Sequence, residues 1–68
     1  MDKEQLDQVS DNVNRIRQTL FNANFYAAQA KRTPLPEMRA SLGRLALKRL
    51  EAAERLTQET IDFVRGLQ

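Results

Sequence analysis

The segment LDQVSDNVNRIRQTLFNANFYAAQA, residues 6–30, decides how this chain folds. Leu6, Val9, Val13, Ile16, Leu20, Ala23, Ala27 and Ala30 follow one another at alternating spacings of three and four. That is an unbroken heptad seam over 25 residues, the pattern of a helix packing at a shallow angle against a neighbour. Upstream, Asp2 and Gln5 have the spacing of a capping box. Asp2, Glu4 and Asp7 suit the positive end of the helix dipole, and Lys31 and Arg32 suit the negative end. The first helix is therefore expected over about residues 3–31.

The segment KRTPLPEM, residues 31–38, stops it. Pro34 and Pro36 lack amide donors, and each disfavours helical geometry in the residue before it. Pro36 also fits the first turn of a following helix, where the missing donor costs nothing. A turn over 32–35 and a second helix over about 36–66 follow, antiparallel to the first because the connection is short. The Pro-Leu-Pro spacing is not a PxxP ligand and reads as a rigid turn.

Helix two carries Met38, Leu42, Leu45, Ala46, Leu50, Ala52, Ala53, Leu56, Ile61, Phe63, Val64 and Leu67 over about half of its circumference at about 100° per residue. That is more than one partner helix covers. Lys48, Glu51, Arg55, Glu59 and Asp62 occupy the solvated side. Arg49 falls inside the apolar arc, where an unpaired guanidinium would be costly. It is expected to snorkel to water, to pair, or to act as a polar residue at an interface between copies.

The same surplus appears in helix one. Phe21 and Phe25 form a second stripe about 120° from the seam, and Tyr26 lies on the opposite flank. One partner helix cannot cover the seam and these three rings together. A second copy of the chain is the simplest cover. The expected fold is therefore all-α: one domain over residues 1–68, a two-helix antiparallel hairpin that dimerises into a four-helix bundle.

Composition narrows the function. The chain has 68 residues, no cysteine and no histidine, which removes disulfides, thiolate chemistry and the usual zinc sites. Lone cores of this size supply only about 3–5 kcal/mol, so oligomerisation is the remaining source of stability. Ser10 and Ser41 have no recognisable base or glycine-rich elbow beside them, and neither glycine sits in a phosphate-binding motif. No catalytic, metal or cofactor-binding residues are expected. The polar, acidic N-terminus is unlike a signal peptide, and no apolar run reaches the roughly 20 residues of a membrane span. These features predict a soluble, cytoplasmic protein with no membrane partner.

Charge is uneven: residues 31–49 carry six basic side chains against Glu37 alone. Long amphipathic helices with surplus apolar surface work by laying a face against another protein. The expected function is accordingly a non-catalytic protein-interaction module, a homodimeric adaptor or inhibitor. Its expected binding residues are Phe21, Phe25, Tyr26, Lys31, Arg32 and Arg39, all close to the turn. Two alternatives stand beside it. One is RNA or DNA binding through the basic segment 31–49; the other is a secretion-type chaperone that pairs with a partner helix. Small inhibitors, adaptors and chaperones of bacteria and phages share this form, which is an analogy of fold alone.

Overall fold

The computed structural model describes residues 1–67. Two helices, α1 (Lys3–Arg32) and α2 (Pro36–Gly66), are joined by a three-residue turn. The start of α1 is held by the anticipated capping box. The Asp2 carboxylate accepts from the Gln5 amide at 2.9 Å, and the Gln5 side-chain oxygen accepts from the Asp2 amide at 2.9 Å. At the turn, Thr33 and Leu35 both adopt extended geometry with ψ 121°. Each precedes a proline, whose ring excludes the helical conformation there. Pro36 then opens α2 from a position whose amide no helix bond needs.

The Arg39 guanidinium closes the turn from the other side. Its Nε and Nη2 donate to the Thr33 carbonyl at 3.2 and 3.1 Å. This carbonyl ends α1, where cations are favoured by the helix dipole.

The hairpin is long and thin, with extents of 51 × 15 × 10 Å. Its radius of gyration is 15.6 Å, whereas a compact domain of this length has about 11 Å. The smallest extent is one helix thick, so the molecule is a single layer with no second layer upon it.

The interior follows from that shape. Among the described residues the buried ones are Ala23, Ala46, Ala53 and Thr60, and no large side chain is fully buried. Alanines at the contact let the two helices approach closely. Thr60 is accommodated because its hydroxyl donates to the Leu56 carbonyl at 2.7 Å, one turn back. Thr19 and Thr33 use the same device, donating to the Arg15 and Gln29 carbonyls at 2.8 Å each.

Burial along α1 corrects the seam read from the sequence. Val9, Ile16, Ala23 and Ala30 do lie against α2. The second column that accompanies them is Gln5, Asn12, Thr19 and Tyr26, each half-buried. The column expected there, Leu6, Val13, Leu20 and Ala27, is exposed. Helix one is rotated by about 50° from the orientation its apolar pattern implies. On α2 the matching line runs through Leu42, Ala46, Ala53, Leu56, Thr60, Phe63 and Leu67.

Candidate interaction surfaces

The twist of α1 about its own axis determines which apolar side chains remain outside. Three groups stand out, apart from Met1, Leu47 and Ile61, which are exposed singly. The first is the exposed column Leu6, Val13, Leu20 and Ala27. Because α2 lies alongside, this column meets residues of the second helix. Leu20, Ala23, Asn24, Ala27, Ala46 and Leu50 line one open groove of about 230 Å³ that crosses the junction of the two helices. Leu20 and Leu50, 45% and 48% exposed, stand on its two sides.

The second group is aromatic. Phe21 is 70% exposed and Phe25 53% exposed. At spacing four they share the outward side of α1, turned away from α2. The third group surrounds the start of α2, where Leu35, Met38 and Leu45 are exposed. Leu35 and Met38 line a broad depression together with Pro36, Glu37 and Ser41.

The structure divides the residues expected to bind a partner. Phe25 and Tyr26 come together in an edge-to-face pair, with centroids 5.7 Å apart and planes at 75°. Their surroundings differ: Phe25 is exposed, while Tyr26 is half-buried in the column that faces α2. The Tyr26 ring helps to fill the hairpin interface. Lys31 and Arg32 are exposed at the end of α1. Arg39 is also exposed, yet its guanidinium is engaged by the Thr33 carbonyl. It supports the turn as well as adding charge there.

Arg49 continues the line of Leu42 and Leu56 toward α1 but remains exposed. A stem of this length can carry the charge to water. Arg44, on the outer side of α2, donates to the Ser41 hydroxyl at 3.1 Å.

Sequence reasoning missed the exposed column, since it assigned Leu6, Val13, Leu20 and Ala27 to the hairpin interior. It also passed over Leu35 and Leu47, both more than half exposed. A usable signal was present in Tyr26 and the two threonines Thr19 and Thr33, which recur at multiples of seven. Threonine can bond back to its own helix, so its column tolerates burial better than its polarity suggests.

Among the described residues no group of three or more acidic, cysteine or histidine side chains is arranged to hold a metal ion. No described helix is long and apolar enough to cross a membrane. What the molecule does offer is exposed apolar surface on both helices, the usual mark of a partner. No protein-family model, curated protein or solved structure matches this chain, so its surfaces alone carry the functional argument.

Proposed function

We propose that the chain is a non-catalytic protein-interaction module that works as a homodimer, two hairpins forming a four-helix bundle. One observation carries the reading: the hairpin has far more surface than a finished fold of its mass. It exposes 5467 Å², whereas a compact 7.8 kDa monomer exposes about 4,400 Å². The excess of about 1,100 Å² exceeds the roughly 800 Å² that each partner contributes to a standard interface. An interior of three alanines and a threonine contributes little hydrophobic stabilisation. Association supplies what the single hairpin lacks.

In this reading Phe21 and Phe25 remain outside the bundle, near Lys31 and Arg32, as the contact for a different protein. Exposed aromatics anchor interfaces, and neighbouring basic groups speed encounter with an acidic surface. Sedimentation equilibrium at micromolar concentration should give twice the 7.8 kDa chain mass. Capture from a native host extract should then retain a protein that Phe25→Glu loses, with helicity and dimer mass unchanged. A folded monomer at micromolar concentration would end the bundle reading. Retention of an RNA instead, with steep salt dependence, would move the function to nucleic-acid binding.

A further inference from the structure

The three exposed apolar groups are not equivalent as candidates for self-association. Phe21 and Phe25 belong to α1 alone, and Met38 and Leu45 belong to α2 alone. On the edge where Met38 and Leu45 lie, α1 contributes Gln8, Arg15, Asn22 and Gln29. The groove side takes apolar residues from both helices, Leu20 and Ala27 from α1 and Leu50 from α2. On α1 the exposed column Leu6, Val13, Leu20 and Ala27 runs along the helix, and on α2 the column through Leu50 runs from Gly43 to Thr57 and the half-buried Val64.

We propose that a second copy of this chain covers the stripe of Leu6, Val13, Leu20, Ala27, Leu50 and Val64, packed antiparallel. Each turn then lies beside the open end of the other hairpin. This rests on the self-association proposed above and names its face and direction. The dimensions suit that occupant. A face 51 Å long and 15 Å wide has a footprint of about 770 Å², close to the roughly 800 Å² per partner of a stable interface.

Side-chain size supports the antiparallel direction. A two-fold axis through the middle of the stripe sets Leu6 against Ala27 of the other copy, and Val13 against Leu20. On α2 it sets Val64 against Gly43, and Leu50 against Thr57. In each pairing the smaller residue meets the larger, as interdigitating layers require. A Cβ built on Gly43 would meet nothing within 4 Å in the single hairpin, so no contact within the chain requires glycine there. The larger Val64 of the second copy takes that space.

Charge selects the same direction. The turn half of the hairpin, residues 17–53, carries seven basic and two acidic side chains, a net +5. The open half, residues 1–16 and 54–68, carries four basic and seven acidic side chains, a net −3. An antiparallel pair sets each positive half against a negative half. A parallel pair would set +5 beside +5, and like charges juxtaposed across an interface disfavour it.

Two measurements test the face and the direction separately. Leu20→Lys and Leu50→Lys should each convert the dimer to monomer in sedimentation equilibrium. Met38→Lys and Leu45→Lys, exposed on the other edge, should leave the dimer mass unchanged. For direction, the natural chain has no cysteine, so Glu37→Cys carries a single spin label near the turn. The antiparallel dimer places the two labels roughly 50 Å apart, from 1.5 Å of rise per residue. A parallel dimer brings them within roughly 20 Å, the width of two neighbouring helices.

The dimer should also weaken as ionic strength rises, because screening removes the attraction between opposite halves. A monomeric parent protein would overturn both this assignment and the bundle itself. A dimer broken by Leu45→Lys and untouched by Leu20→Lys would overturn the face alone. Label distances near 20 Å, or a dimer strengthened by salt, would overturn the antiparallel direction. Should Leu20→Lys unfold the chain, the label distances and salt response still decide, because they leave the stripe unaltered.

Discussion

Enlarging Ala23 tests the alanine contact between the two helices. Ala23 is 4% exposed, and across the interface Ala46 is 8% exposed. The spacing of α1 and α2 is therefore set by methyl groups. Ala23→Leu inserts three further carbons at the alanine contact, and it must push the helices apart or bend the new side chain through a strained rotamer toward the open groove that Ala23 and Ala46 line. Overpacking of this kind costs about 1–3 kcal/mol. Leucine and alanine have nearly equal helix propensity, so the local helix contributes almost nothing to the change. A chain of this size has about 3–5 kcal/mol to lose from its core. Two kcal/mol corresponds to roughly 8–16 °C in melting temperature for a domain of this length. The assay is thermal unfolding followed by circular dichroism, with all variants at one protein concentration, because association makes the midpoint concentration-dependent. Ala40→Leu, the same chemical change at an exposed position on α2, is the control and should shift the midpoint by little. If Ala23→Leu melts at or above the parent, close alanine packing does not set the helix spacing, and the account of the core given above is wrong.

The two ends of the aromatic cluster should respond differently. Tyr26→Ala removes a half-buried ring from the helix interface and should lower stability by about 2 kcal/mol, a discount on the 3–5 kcal/mol of a fully buried aromatic. Phe21→Ala, at a largely solvated position, should leave the melting curve within about 0.5 kcal/mol of the parent. Equal effects of the two would show that α1 is rotated differently from the orientation described. Arg39→Ala removes both donors to the Thr33 carbonyl and should cost about 1 kcal/mol, an ordinary value for exposed hydrogen bonding. Hydrogen exchange at the amides around the turn would register the loss. Arg39→Lys should restore only part of it, since an ammonium lacks the fork that places two donors on one oxygen.

Local chemistry made much of this hairpin legible before any packing was considered. The Asp2–Gln5 box, the charges at the helix ends and the two prolines act within a few residues of themselves. Their outcome does not depend on what the rest of the chain does. Helix limits of 3–32 and 36–66 accordingly lie within one residue of those expected.

The face of α1 that meets α2 was not legible in the same way. Val9, Ile16, Ala23 and Ala30 belong to two possible seams, one completed by Leu6, Val13, Leu20 and Ala27, the other by Gln5, Asn12, Thr19 and Tyr26. Both repeat at three and four, and a rotation of about 50° interchanges them. Hydrophobicity alone favours the first. The sequence by itself determined two helices, their limits, an antiparallel turn and more apolar surface than one hairpin can bury. Only the tertiary structure decided which column turned inward. Thr19 satisfies its hydroxyl on its own helix and Tyr26 fills the interface near the turn. Helix two can therefore pack on the less apolar column, leaving the more apolar one facing out along the length of the molecule.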